Sequence, residues 1–164
     1  MTPADDRFLV IVAAVALMRL RHGAYRNMWL AALVNIPGTL LHELAHLGVG
    51  WVCGARPTGF TVWPRRGPDG RYVLGGVGFR RLRPWLTPAC ALAPLLVLGP
   101  AFAFDRWAAG SLDATWPGFA LYVLFQTMLI ENALPSGTDW ALAWRHRVPC
   151  AGWLAGGAAV LAAV

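Results

Sequence analysis

Apolar residues fall into five blocks along the chain, separated by short polar or irregular stretches. The blocks are residues 8–20, 28–54, 85–104, 116–134 and 148–164. Long apolar runs are typical of membrane-spanning helices, which need about 20 residues to cross the hydrocarbon core. The first block is short for a span, and three prolines in the third indicate an irregular helix. The pattern therefore predicts an all-α, multi-span membrane protein with about four to five transmembrane helices.

The stretch between the second and third blocks has a different pattern. Residues 59–63 and 71–79 are β-prone, and the segment between them contains Pro68, Asp69 and Gly70. Two β-prone runs around such turn residues predict a β-hairpin. We place this hairpin at about residues 57–80, as a membrane-associated insert in a single domain of residues 1–164, since the length suits one domain.

Composition and charge favour the same class of protein. Of the 164 residues, 57% are hydrophobic and 13% are charged, whereas a soluble domain has about 25% charged residues. The net charge of +6 would also suit nucleic-acid binding, but the arginines lie between apolar blocks, as in cytoplasmic loops of membrane proteins. We therefore expect contact with a lipid bilayer and no nucleic-acid partner.

The second block contains the motif H-E-x-x-H, formed by His42, Glu43 and His46. On a helix, two histidines four residues apart lie on one face, so both imidazoles can bind one Zn²⁺ ion. Glu43 lies beside the first histidine, where its carboxylate can take a proton from an attacking water. The alternative interpretation is a cluster of polar side chains that holds neighbouring helices together.

A zinc site needs a third protein ligand, and the candidate is Asp139 after the fourth block. If the third block spans, the second and fourth run in the same direction, which brings Asp139 to the depth of the two histidines. Asp139 could instead cap a helix that begins at Trp140, and the two roles are compatible. Asn132 could bind the developing oxyanion, or it could cap the helix break at Pro135.

These features together resemble the site-2 protease family of intramembrane zinc metalloproteases. The resemblance rests on the H-E-x-x-H helix, a hairpin that ends in Leu74-Gly75-Gly76-Val77, and the Asn132-x-x-Pro135 segment with Asp139. It covers residues 42–139. The family often shows N-x-x-P-x-P-x-L-D-G, whereas this chain lacks the second proline, has its aspartate one residue earlier and has Trp140 in place of the glycine. The chain is similar to a minimal, divergent member of that family.

The resemblance implies a zinc-dependent intramembrane endopeptidase. His42, His46 and Asp139 would bind zinc, Glu43 would be the catalytic base, and Asn132 would assist. The substrate would be a membrane protein or peptide, held as an extended strand near Gly75, Gly76 and Val77. The alternative function is a non-catalytic, zinc-stapled membrane adaptor or regulator that binds partner helices. A fourth ligand from Cys53 or Glu131 would favour that alternative, because structural zinc sites are usually closed by four protein ligands.

The distribution of arginine predicts the orientation in the membrane. If all five blocks span, ten arginines lie on the side of the hairpin and of residues 139–147, and four lie on the other side. Positive charge marks the cytoplasmic side. We therefore expect a multi-pass protein of the bacterial cytoplasmic membrane, with its zinc site towards the cytoplasm.

Overall fold

The computed structural model describes residues 7–24, 27–67, 70, 72–108 and 115–163. The helices are α1 (Arg7–Ala24), α2 (Met28–Val52), α3 (Thr87–Ala91), α4 (Leu98–Ala108), α5 (Trp116–Ala133), α6 (Gly137–Trp144) and α7 (Arg147–Ala163), with a 3₁₀ helix at Ala93–Val97. The strands are β1 (Pro57–Thr61), β2 (Arg65–Arg66), β3 (Tyr72–Val73) and β4 (Gly76–Phe79).

Helix α2 is the central element, because several of the other helices and both outer strands of the hairpin pack against it. Asn27 begins the helix by accepting hydrogen bonds from the N–H groups of Trp29 and Leu30. Helices α1, α3 and α5 and the 3₁₀ helix contact α2, and so do strands β1 and β4. The face of α2 that carries the H-E-x-x-H motif therefore lies between the helices and the hairpin.

Two small clusters of buried residues hold the helices together. The first joins α3, α6 and α7 and consists of Ala91, Leu92, Ala143 and Cys150. The second joins the 3₁₀ helix, α4 and α5 and consists of Val97, Ala101, Leu129 and Ala133, with Leu41 and Ala45 of α2 packed against it. Small side chains in both clusters let the backbones approach closely, which brings the ends of α3 and α5 next to α2.

The four strands lie inside the segment for which a hairpin was expected. Strand β1 pairs antiparallel with β4, and β2 pairs antiparallel with β3, so one ladder is nested inside the other. Gly50 of α2 leaves room for Phe79, because a Cβ atom there would lie 2.1 Å from the Phe79 ring. The rings of Trp29 and Trp63 lie 5.8 Å apart near the other end of α2. The hairpin therefore runs along the length of this helix.

The predicted class of an all-α protein with four to five transmembrane helices is wrong. None of the described helices is both long enough and apolar enough to cross a membrane. The third apolar block divides into α3, the 3₁₀ helix and α4, with Pro88 and Pro94 in the first turns of the first two. The long helices α2 and α5 are interrupted by polar residues such as Glu43 and Glu131.

The predicted localisation, a multi-pass protein of the bacterial cytoplasmic membrane with the site towards the cytoplasm, is wrong for the same reason. It depended on counting each apolar block as one span, and the described helices do not provide those spans. The expectation that the hairpin is membrane-associated also has no support, because it followed from the predicted spans on either side of it. The two β ladders further show that the chain is not all-α.

Candidate metal centre

His42 and His46 lie one turn apart on the inward face of α2. Their Nε2 atoms are 3.2 Å apart, and the two rings meet edge to face with centroids 4.9 Å apart. This is the arrangement expected of an i, i+4 pair on a helix. The two imidazoles therefore present the same ring nitrogen to one point in space.

Asp139, in the first turn of α6, completes a group of three side chains. Its Oδ1 atom lies 3.3 Å from Nε2 of His46, and its Oδ2 atom lies 3.4 Å from Nε2 of His42. The same Oδ2 atom accepts hydrogen bonds from the backbone N–H and the hydroxyl of Ser136, at 2.8 and 2.6 Å. Ser136 in return caps the helix by accepting from the Asp139 N–H.

Asp139 thus caps a helix and faces the histidines at the same time. The helix begins at Gly137, not at Trp140 as expected, so Asp139 is the acidic partner in a capping box with Ser136 as the N-cap residue. The capping bonds fix the rotation of the carboxylate. Asp139 therefore occupies both positions that the sequence offered for it, that of a candidate metal ligand and that of a helix-capping residue.

Each histidine is oriented by a main-chain carbonyl on a different element. Nδ1 of His42 donates to the carbonyl oxygen of Asn132 at 2.8 Å, and Nδ1 of His46 donates to that of Cys90 at 2.7 Å. Such second contacts fix the ring and its tautomer in metal sites. Both carbonyls lie near helix ends, where the regular helical partners are missing.

The chain sequence explains why these two carbonyls are available. The helical partner of the Cys90 carbonyl would be residue 94, which is a proline without an N–H group. The helical partner of the Asn132 carbonyl would be residue 136, but α5 ends at Ala133 and the Ser136 N–H donates to Asp139. Neither carbonyl is therefore taken by its regular i+4 helical partner, and each accepts a hydrogen bond from an imidazole.

This hydrogen bonding leaves three acceptors pointing at one another. A carbonyl oxygen can only accept, so each Nδ1 carries the hydrogen, and Nε2 of the neutral ring presents a lone pair. The lone pairs of His42 and His46 converge with the Asp139 carboxylate, and all three ligand atoms lie within 4.8 Å of one another. Converging acceptors require a positive charge between them. The group can hold a metal ion, and the residues fit that role.

The shifted pKa values of His42 and Asp139 also favour a positive charge at this group. Burial acts to lower the pKa of His42, but its bonds to Asp139 and Asn132 raise that pKa above the usual value. Burial acts to raise the pKa of Asp139, but hydrogen bonds from the two histidines hold it well below its usual range. Asp139 is therefore ionised at neutral pH, as a metal ligand has to be.

The possible fourth ligands lie outside this group. Among the residues that the structure describes, neither Cys53 nor Glu131 joins the three side chains. Cys90 contributes its carbonyl and is not one of the grouped side chains. Burial, together with the neighbouring Cys53, raises the pKa of its thiol to about 12. A metal ion at this group would have three protein ligands from the described part of the chain, which leaves a coordination position for water or substrate.

Glu43 lies next to the metal group without being part of it. Its side chain is buried and lines the same cavity as the two histidines. Burial raises the pKa of Glu43 above its usual value, although electrostatic interactions with His46 and His42 act to lower it. A carboxylate with a raised pKa beside an open coordination position has the properties of a proton acceptor.

Asn132 contacts the site through its backbone and not through its amide. The side-chain Nδ2 donates to the carbonyl oxygen of Met128 at 2.9 Å. The amide also packs onto α2, since a Cβ atom on Gly38 would lie 2.1 Å from Nδ2. What the structure shows for Asn132 is the carbonyl contact to His42, and its oxyanion role stays a prediction.

Gly75, Gly76 and Val77 form the opposite wall of the cavity, which has a volume of about 530 Å³. Gly75 has φ of 127°, a conformation that L-residues rarely adopt, and a Cβ atom there would lie 2.7 Å from Oε1 of Glu43. Gly76 and Val77 pair with β1 on one side only, and within the described residues no strand pairs with the other side. The cavity is thus lined both by the three side chains that can hold a metal ion and by a strand with one unpaired edge.

The sequence analysis missed two residues of the site. Ser136 fixes Asp139, and Cys90 supplies a carbonyl. Asn35 and Thr39, which four-residue spacing places on the same face of α2 as Glu43, line the cavity. A proline four residues after Cys90 is the sequence signal for a free carbonyl.

In the comparisons with known proteins, no family model, no curated protein and no solved structure matches this chain. The functional conclusions therefore depend on the geometry of the site.

Proposed function

We propose that the protein is a zinc-dependent peptidase that hydrolyses a peptide bond in an extended polypeptide segment. The observation that carries this proposal is the convergence of the three acceptors from His42, His46 and Asp139 beside the buried carboxylate of Glu43. An edge strand on the other side of the same cavity adds a place for a polypeptide. The order of these features along the chain also resembles that in site-2 proteases.

The spacing of the ligand atoms supports zinc as the metal. Nitrogen and oxygen ligands lie roughly 2.0–2.2 Å from zinc, so two ligands at a tetrahedral angle are about 3.3–3.5 Å apart. The distances among the two Nε2 atoms and the nearest carboxylate oxygens are 3.2, 3.3 and 3.4 Å. Two imidazoles and one carboxylate are also a ligand set of catalytic zinc sites. When bound, zinc would polarise the scissile carbonyl and lower the pKa of water.

Glu43 would move the proton in this reaction. As water adds to the carbonyl carbon of the scissile bond, Glu43 accepts one of its protons. The same carboxyl then gives that proton to the leaving nitrogen as the carbon–nitrogen bond breaks, which yields an amine and a carboxylic acid that keeps the second proton of the water until it ionises. Burial of Glu43 favours this exchange, because it brings the pKa closer to neutral pH.

Strand β4 would hold the substrate. A polypeptide added along its unpaired edge would form main-chain hydrogen bonds, and side chains would alternate between the two faces of the sheet. Gly76 is half-buried and carries no side chain that would separate a substrate backbone from the strand. This edge borders the same cavity as Glu43 and the two histidines, so a segment bound there lies next to the proposed chemistry.

The competing function is a non-catalytic protein in which zinc only holds elements together. That function calls for four protein ligands and has no use for a buried acid outside the ligand group. The three-ligand group and the placement of Glu43 support the peptidase instead.

The first test is the zinc content of the purified protein. We expect about one zinc per chain in the wild type, and its loss in His46→Ala and Asp139→Ala. Asp105→Asn and His146→Ala are the matched controls, because these residues lie outside the group and should leave zinc unchanged. Zinc that persists without Asp139 would contradict the proposed site.

The second test is cleavage of a peptide library by the zinc-loaded protein, with the products read by mass spectrometry. The wild type should cut a subset of peptides, and Glu43→Gln should keep zinc but lose cutting by about 100-fold or more. Asp105→Asn again serves as the control. Equal cutting by Glu43→Gln, or no cutting by the zinc-loaded wild type, would overturn the proposed activity.

A further inference from the structure

The hairpin and the loop that follows it carry a concentration of positive charge that the peptidase chemistry does not use. Between Leu44 and Phe104 the sequence contains seven arginines and a single acidic residue, Asp69. Six of the arginines belong to the described residues and are exposed, namely Arg56, Arg65, Arg66, Arg80, Arg81 and Arg83. Within the described part of the chain, none of them forms a salt bridge with a carboxylate. We call these six residues the basic surface.

Arg65 connects the basic surface to the cavity. Its Nη2 atom lies 3.5 Å from the position that a Cβ atom on Gly76 would occupy, which places the guanidinium directly over strand β4. Gly76 itself lines the cavity. Arg66, the next residue, lies over the ring of Tyr72 at 5.5 Å and is held there by a cation–π contact. Of the two, Arg65 is the one whose guanidinium lies against the strand to which a substrate would pair.

We propose that the protein selects extended polypeptides that carry carboxylate side chains, with Arg65 binding the carboxylate nearest the cleaved bond. This inference rests on the proposed function, because it assigns the substrate class of the same cavity. Arg65 offers a planar fork of N–H donors that matches a carboxylate. The other arginines of the basic surface attract acidic residues further along the same segment.

The position of Arg65 favours a polypeptide over the two other anionic partners that a basic surface can bind. A flat anionic lipid surface would contact the exposed arginines, but it would not enter the cavity beside Gly76. A nucleic acid could use the positive charge, but it offers no main-chain N–H and carbonyl groups to pair with β4. An acidic polypeptide uses both features, since it pairs with the strand and places a carboxylate at Arg65.

The test measures binding separately from cleavage. Full-length, zinc-loaded Glu43→Gln protein is titrated with two fluorescein-labelled peptides, one of alternating glutamate and valine, the other with glutamine in place of glutamate. We expect the acidic peptide to bind at least tenfold more tightly, and we expect added salt to weaken this preference. Arg65→Gln in the same background should reduce the preference about fivefold, while Arg65→Lys should restore part of it. Arg106→Gln on α4 is the control and should have no effect.

Each outcome bears on the proposal. Equal binding of the two peptides, or an acidic preference that persists unchanged in Arg65→Gln, overturns it. Binding to phosphatidylserine vesicles or to single-stranded DNA without binding to the acidic peptide also overturns it and assigns the basic surface to that other partner. An Arg65-dependent acidic preference in a protein whose wild type never cuts the peptide supports the inference while refuting the peptidase.

Discussion

The two walls of the cavity are held in place by different means. On the helical wall, His42 and His46 each bond to a carbonyl of another helix, and Asp139 is held by the backbone N–H of Ser136 in its own helix cap. The hairpin wall, residues 74–77, has one unpaired edge and depends on the close contact of Gly75 with Glu43 and Thr39. The helical wall therefore fixes the ligand atoms, whereas the hairpin wall leaves backbone groups of β4 free to pair with a partner. Changes to one wall should then leave the function of the other intact.

The largest effect is expected from Gly75→Ala on the hairpin wall. The new Cβ atom would lie 2.7 Å from Oε1 of Glu43, and alanine is strained at φ of 127°. A displacement of about 1 Å near the reacting groups can cost about 100-fold in rate, so we expect a loss of that size in peptide cutting. Zinc content should stay at the wild-type level. Both are measured with the library assay and by metal analysis.

Gly59→Ala is the matched control for that change, because Gly59 lies on β1 of the same hairpin and no atom lies within 4 Å of its Cβ position. Cutting by Gly59→Ala should stay near wild type. If Gly75→Ala also loses zinc, the two walls are not independent and the comparison fails.

A smaller effect, on the helical wall, is expected from Gly38→Ala. Its Cβ atom would lie 2.1 Å from Nδ2 of Asn132, so the Asn132 side chain must move, and we expect the Asn132 carbonyl to move away from His42 with it. Overpacking of this kind costs about 1–3 kcal/mol in the free energy of unfolding. Loss of a second contact weakens metal binding by about tenfold or more. Urea unfolding and a zinc titration measure the two effects.

Gly48→Ala, also on α2, provides the control, since nothing lies within 4 Å of its Cβ position. It should leave zinc affinity unchanged and increase stability by roughly 0.5–1 kcal/mol, because alanine is the better helix former. Zinc affinity that is equal in Gly38→Ala and Gly48→Ala would show that the Asn132 carbonyl is dispensable.

The smallest effect is expected from Pro94→Ala. This change gives residue 94 an N–H group, which can compete with Nδ1 of His46 for the Cys90 carbonyl. We expect zinc affinity to fall by roughly three- to tenfold. Pro88→Ala is the control, since both prolines have fully buried side chains of the same size. An equal loss of affinity in both variants would attribute the effect to packing instead.

The local part of the site was predictable from the sequence, because it depends on helical spacing alone. His42 and His46 had to share a face of any helix that contained them. The placement of Asp139 required the assumption that the second and fourth blocks run parallel through a membrane. The structure brings Asp139 to the histidines although no described helix can span one. The proximity of Asp139 to the two histidines was therefore expected, but from an arrangement of membrane spans that the described helices do not form.

The fold could be predicted only in part, because apolar composition does not determine helix length. The bounds of α2 and α5 lie within two residues of the second and fourth apolar blocks. The prediction of one irregular helix for the third block was wrong, because its prolines start new short helices instead of bending one long helix. The contacts of Cys90 and Ser136 could not be predicted from the sequence, since they depend on which backbone groups lack a helical partner at the ends of the helices.

The two open carbonyls have a consequence for the construction of metal sites by design. A pair of histidines placed on a regular helical bundle would find the neighbouring carbonyls already paired within their own helices, and the rings would be free to rotate. Here Pro94 has no N–H group, which leaves the Cys90 carbonyl for His46. The Ser136 N–H donates to Asp139, which leaves the Asn132 carbonyl for His42. A designer who transplants this motif should therefore copy the interruptions in the adjacent helices together with the ligands.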